Sequence, residues 1–118
     1  MAVLHNAALL RIFMGENDRH GGQPLYEAVV LKARGLGLAG ATVLRGPLGF
    51  GRSSTLHTAK ILRLSEDLPM VVEIVDSEEK LRTLIAALEP MLAASSTLVT
   101  LERVEVVRYG PEKAAPFR

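Results

Sequence analysis

Two helices alternate with four strands along this sequence, and that order leaves few folds open. Leu9–Met14 alternates Leu10, Ile12 and Met14 on one face with Leu9, Arg11 and Phe13 on the other, the period of a strand. Gly15 to Gly22 reads as a polar loop, and Pro24 suits the first turn of a helix, where its missing N–H has no partner to lose. That helix carries Leu25, Ala28, Val29 and Leu36 on its core stripe, and Gly35 and Gly37 end it. Ala41–Arg45 forms a second strand and Met70–Val75 a third. The second helix is the clearest element: Asp76 as N-cap with Glu79 three residues on, then Leu81, Leu84, Ile85, Leu88 and Leu92 at helical spacing. Glu78 and Arg82 form an i,i+4 pair on its wet side, and Pro90 is expected to disturb the last turn. Leu98–Tyr109 is a last long strand. Its apolar parity changes between Leu101 and Val104, which predicts a bulge near Glu102–Arg103. The order β-α-β-β-α-β predicts an α+β, ferredoxin-like fold: a four-stranded antiparallel sheet with both helices on one face.

Two helices cover only one side of such a sheet, yet both sides carry apolar residues. The side away from the helices is expected to hold Leu9 and Phe13 around Arg11. The third strand adds either Val71 and Val75 around Glu73 or the opposite parity. In water that face would be an unusually large apolar patch, and oligomerisation with cyclic symmetry, sheet against sheet, is the economical way to cover it. The first and third strands are neighbours in this topology, so Arg11 and Glu73 are expected to pair.

Charge is unevenly distributed. No acid lies between Glu27 and Glu66, where Lys32, Arg34, Arg45, Arg52, Lys60 and Arg63 contribute +6; the other eight cations against all thirteen acids leave −5. The central segment would draw anions, unless its cations pair with acids elsewhere in the fold. The chain of 118 residues is read as one domain, with a core over residues 8–109, a flexible central loop at about 46–68 and a tail at 110–118. No apolar run is long enough to span a membrane and none reads as a signal peptide, so a cytoplasmic protein without membrane insertion is expected.

Catalysis finds little support. His5, His20 and His57 are scattered, Ser53, Ser54 and Thr55 lack an arranged base, and Glu78–Glu79 is helix-start chemistry. There is no cysteine, which excludes thiolate sites. Glu16, Asp18 and His20 could supply a metal site, but a turn in which the short polar side chains bond their own backbone accounts for them as well. Aromatics are 4% of residues and Phe13 is the sole candidate on a strand face, so nucleic-acid binding is not expected. Arg45 to Ser54 is more informative. Gly46, Gly49 and Gly51 permit close backbone approach, and Arg45, Arg52 and the hydroxyls could hold phosphate oxygens, although the spacing is not that of a Walker loop.

The span Leu9–Tyr109 resembles the PII-like proteins, in particular the small bacterial and archaeal group catalogued as a domain of unknown function in that superfamily. The segments that carry the resemblance are Pro24–Ala28, Gly37–Val43, Arg45–Gly51 and Ser65–Asp76. It implies a homotrimeric, non-enzymatic signalling protein with a small anionic ligand, an adenine nucleotide being one candidate, in clefts between subunits. The connection between the second and third strands would contact a partner protein. Carried over by position, the ligand contacts would be Arg45, Gly46, Gly49, Phe50, Gly51, Arg52, His57 and Lys60, with Arg63 a further loop cation. The glycine- and lysine-bearing loop that wraps phosphates in PII proteins is absent. Ala93–Thr97 stands there, able to offer only the hydroxyls of Ser95, Ser96 and Thr97. A trimeric metal-binding protein of the related metal-tolerance fold is the alternative, with Glu16, Asp18, His20 or His57 as ligands.

Overall fold

Strand β1 spans Leu4–Gly15 and is one of the two inner strands of the main sheet. Its even residues Ala8, Leu10, Ile12 and Met14 are buried, while Leu9, Arg11 and Phe13 on the opposite face are half-buried. The computed structural model describes residues 4–51, 56–58 and 67–110. After β1 come a short hairpin of β2 (Arg19–His20) and β3 (Gln23–Pro24), helix α1 (Leu25–Gly35) and β4 (Thr42–Arg45). A second small hairpin, β5 (Leu48–Gly49) with β6 (His57–Thr58), precedes β7 (Pro69–Ser77), α2 (Glu78–Leu92) and β8 (Leu98–Val106). The main sheet has the order β4-β7-β1-β8, antiparallel throughout. The architecture is therefore the expected α+β, ferredoxin-like one, with both helices packed on a single face of the sheet.

The core lies between that face and the helices. Leu10, Ile12, Val72 and Ile74 meet Leu25 and Val29 of α1 and Leu81, Leu84 and Leu88 of α2, all essentially inaccessible to water. Each such side chain contributes about 1.5–3 kcal/mol by leaving water, so the spacing of α2 is what anchors the fold. Ala33 takes the place expected of Leu36, which is the C-cap of α1 and 41% exposed. The glycine end signal holds: Gly37 has φ +80°, and its N–H donates to the Arg34 carbonyl at 3.1 Å.

Two local expectations are corrected, the cap of α2 and the bulge in β8. The N-cap of α2 is Ser77, whose Oγ accepts from the Lys80 N–H at 3.2 Å, and not Asp76. Strand β7 runs through Ser77, so Asp76 is still strand and points to the helix side, where it is fully buried. Pro90 lies in the last turn of α2, where its missing N–H leaves out one bond of the ladder. The helix continues to Leu92, and the Ala93 N–H reaches the Glu89 carbonyl at 2.9 Å. The bulge lies elsewhere. β8 pairs in unbroken register with β1 from Leu98 to Val104, and the irregularity falls on β1 between Leu4 and Ala7, where Asn6 has φ +63°. The parity change in β8 needs no break, because Val99 and Leu101 lie on the helix side while Val104 falls opposite Ala7 on the other face. The first strand also begins earlier than expected, bringing His5 into the sheet. The strand at the chain's end is shorter, stopping at Val106.

The helix-free face has the composition foreseen. Leu44 lies across from Val71, Val71 from Phe13 and Phe13 from Leu98, with Leu9 opposite Val75. At its centre Arg11 Nε donates to Glu73 Oε2 at 2.9 Å, and Nη1 donates to Glu102 Oε1 at 2.7 Å. The Glu73 pairing is the expected one; Glu102 joins it because β8 flanks β1 on the other side. The guanidinium pKa is raised, foremost by the Glu73 hydrogen bond and further by Glu102, against a lowering from burial.

Candidate ligand cleft

At one end of the sheet, three strand ends converge and leave a cleft of about 700 Å³. Phe13, Met14 and Gly15 close β1, Pro69 and Met70 open β7, and Ser96, Thr97 and Leu98 lead into β8. Gly49, Phe50 and Gly51 form a further wall, and Asp18 and Asp67 complete the lining.

The turn after β1 has little freedom. The Glu16 N–H donates to the Leu68 carbonyl at 2.8 Å, the Asn17 N–H to Asp67 Oδ1 at 2.7 Å, and the Gly15 N–H to Asp18 Oδ2 at 3.0 Å. These bonds stitch the Gly15–Asp18 turn to the approach of β7. A Cβ at position 15 would stand 2.6 Å from Asp67 Oδ1, so any larger residue there has to displace that carboxylate. The reading of Asp18 as turn chemistry therefore holds. Glu16 is engaged by Arg45, and His20 is exposed on β2. Among the described residues no three His, Asp or Glu side chains are grouped so as to hold a metal ion.

Of the three glycines of the central segment, Gly46 and Gly49 lie against the ring of Pro69, while a Cβ on Gly51 would meet nothing within 4 Å. A Cβ on either Gly46 or Gly49 would meet Pro69 Cγ at 3.0 Å, and the Gly46 N–H donates to the Pro69 carbonyl at 2.8 Å. This packing holds Gly49–Gly51 over the end of the sheet. Phe50 is 67% exposed and faces the cleft. On the opposite wall Ser95 Oγ donates to the Leu92 carbonyl at 2.6 Å and lies 3.0 Å from Thr97 Oγ1, which fixes the turn that presents Ser96 and Thr97.

Of the residues expected to contact a ligand, Gly49, Phe50 and Gly51 line the cleft together. Gly46 is behind them against Pro69. Arg45 lies outside the lining, its Nη2 bonded to Glu16 Oε2 at 2.6 Å, so this cation is paired within the fold. His57 is in β6 opposite Gly49. Arg52, Lys60 and Arg63 fall outside the described residues. Phe13, Met14, Gly15, Asp67, Pro69 and Met70 were not foreseen as lining. The ends of separate strands meet only once the register is set, and the available sign was Asp67-Leu68-Pro69 preceding a strand.

A second polar arrangement lies over the helix side. Buried Asp76 accepts the Ala39 N–H on Oδ2 at 2.9 Å and the Ser77 N–H on Oδ1 at 2.7 Å. Lys80 Nζ donates to the Gly37 carbonyl at 3.0 Å, and the Tyr109 hydroxyl donates to the Ala39 carbonyl at 3.0 Å. Three side chains distant in sequence thus pin the Gly37–Ala39 connection that delivers the chain to β4 and the central segment.

Comparison with known proteins agrees with the fold. Residues 7–106 match the family model DUF190, described as Uncharacterized ACR. A UPF0166 protein of Aquifex aeolicus is 40% identical over 99 residues, covering 84% of this chain and 91% of the relative. Among solved structures, CPII from Thiomonas intermedia, a nitrogen regulatory PII-like protein bound to ADP, AMP and bicarbonate, superposes with a TM-score of 0.63 at 16% identity. The match covers 92% of this chain and 99% of that one. CutA from Synechococcus elongatus gives a TM-score of 0.60 at 10% identity, covering 89% of each. At these identities the two structures share the fold.

Proposed function

The chain belongs to the DUF190 family, and from that premise we propose that it is a trimeric PII-like regulatory protein without catalytic activity. It binds a small anionic ligand, an adenine nucleotide in the first instance, at clefts between subunits. Its central loop, residues 46–68, engages a partner protein.

The observation that carries this reading is the uncovered apolar face of the sheet. Leu98 is 57% exposed, Leu44 49% and Val75 37%, with Leu9, Phe13 and Val71 half-buried between them. A lone chain would keep this surface wet, whereas copies packed sheet against sheet around a rotation axis remove it from water. Phe13 and Leu98 belong both to that face and to the cleft wall, so assembly brings a second subunit to the cleft mouth. CPII, which shares the fold, is bound to ADP and AMP, and this supports the choice of nucleotide. Ligand bound against Gly49–Gly51 would bias the conformation of the segment that follows, so ligand and partner affinities are thermodynamically linked.

The test combines native mass with calorimetry. The expected result is a trimer at micromolar concentration, with saturable heat from at least one of ATP, ADP and AMP. A monomer at that concentration, or no heat from any of the three, refutes the reading.

A further inference from the structure

Resting on the trimer reading above, we infer that assembly through the helix-free face of the sheet takes up a proton at Glu102, so that the copies hold together more tightly as the pH falls.

The strand register places charge where assembly has to bury it. One row across this face is apolar: Leu44, Val71, Phe13 and Leu98 lie opposite one another in β4, β7, β1 and β8. The next row, two residues along each strand, is polar and holds Thr42, Glu73, Arg11 and Thr100. The row after that holds Val75, Leu9 and Glu102. Apolar side chains therefore stand on both sides of the polar row, and packing that removes them from water removes the charges with them.

The charges do not balance. Among the described residues Arg11 is the cation of this face, against Glu73 and Glu102. Arg45 lies opposite the buried Met70 on the helix side and is held by Glu16. Arg103 and Glu105 have the opposite parity to Glu102 in β8, and Arg103 approaches Glu78 at 3.6 Å. A rotation axis repeats the same set and adds no further cation, so each copy brings one carboxylate charge in excess.

Glu102 has the most water to lose. Its side chain is 57% exposed and that of Glu73 is 30% exposed, while each accepts one bond from the shared guanidinium, at 2.7 and 2.9 Å. A carboxylate that is dehydrated without gaining a cation is held in its neutral form. The protonated acid keeps an oxygen for Arg11 Nη1 and presents an O–H donor where the charge stood. A proton bound in the assembly and released by the separate chains makes the association constant fall as the pH rises, by up to about tenfold per pH unit for each proton.

The experiment is sedimentation velocity on the full chain over a dilution series, from about pH 5 to about pH 8, above the ordinary carboxylate range. Ionic strength is held constant, and a chelator keeps metal ions from replacing the proton. The same series is run on Glu102→Gln, which keeps an oxygen for Arg11 and alters an exposed side chain. The parent's dissociation midpoint is expected to fall about threefold or more for each pH unit lowered. The variant is expected to assemble at every pH about as tightly as the parent does at the lowest, with a flat profile. His5 of β1 also titrates in this range, and the variant separates its contribution. A variant that keeps the parent's pH dependence, or assembles more weakly than the parent at the highest pH, overturns the assignment to Glu102. A parent with a flat midpoint, or one still assembled at nanomolar concentration at the highest pH, overturns the inference and leaves the trimer reading standing. A single chain at every pH overturns both.

Discussion

Asp76→Asn replaces one carboxylate oxygen by an amide nitrogen at nearly constant volume, in a site with no access to water. Both oxygens of Asp76 are acceptors for backbone N–H groups, Ala39 at 2.9 Å and Ser77 at 2.7 Å. Asparagine satisfies only one of them. Its NH2 faces the other donor, so one charge-assisted bond is lost and two donors are set against each other. A hydrogen bond to a charged group contributes about 1.5–3 kcal/mol, and an unsatisfied buried donor costs about 1–3 kcal/mol. The two effects overlap, and the expected destabilisation is about 2–4 kcal/mol. For a chain of this size each kcal/mol lowers the melting midpoint by about 4 °C, so a fall of roughly 8–16 °C follows. The assay is thermal unfolding followed by circular dichroism, at one fixed protein concentration because assembly contributes to stability. Ala39 leads into β4, so the variant should also loosen the Gly37–Ala39 connection, read as faster amide exchange there. A midpoint within about 2 °C of the parent would refute the claim that this carboxylate holds the connection by its charge and its two acceptors.

Arg11→Met removes the cation between Glu73 and Glu102 and leaves two carboxylates on the face proposed to pack against other copies. Sedimentation should show the variant dissociating at concentrations where the parent is assembled, and unchanged mass on dilution would exclude that face as the interface. Gly15→Ala places a methyl 2.6 Å from Asp67 Oδ1, which must move and give up the Asn17 N–H. The expected cost is about 1–3 kcal/mol in urea unfolding, with weakened ligand binding; a neutral result would mean the turn is not packed this way. Ser77→Ala removes the side-chain cap of α2 and should cost about 0.5–2 kcal/mol in thermal or urea unfolding; a loss near zero would mean that the Lys80 N–H bond is not what starts the helix.

The local alphabet of this fold is legible in the sequence. The leucine spacing of α2, the glycine end of α1 and the alternation in β1 and β7 each state an element whose side chains can be buried in only one way. Placing both helices on one face follows from those elements and their order. The errors are errors of one residue or one strand. Asp76 and Ser77 are both good caps, and only the length of β7 decides which of them is still strand. The apolar parity of β8 is equally compatible with a bulge and with a strand whose two halves serve opposite faces.

The candidate cleft was half legible. Gly49–Gly51 and the hydroxyls of Ser96 and Thr97 stood out because their residue types have a chemical purpose in a loop. Asp67 and Phe13 did not, since neither is unusual until the strand ends meet. What sequence alone determined is what short-range physics decides: periodicity, caps, turns, and an excess of apolar surface on a two-faced sheet. Tertiary structure decided what depends on long-range register. It pairs Arg45 with Glu16, sets Asp76 under the Gly37–Ala39 connection, and gathers two acids and two phenylalanines at one end of the sheet. Those contacts join residues tens of positions apart, and their geometry exists only after the chain has closed on itself.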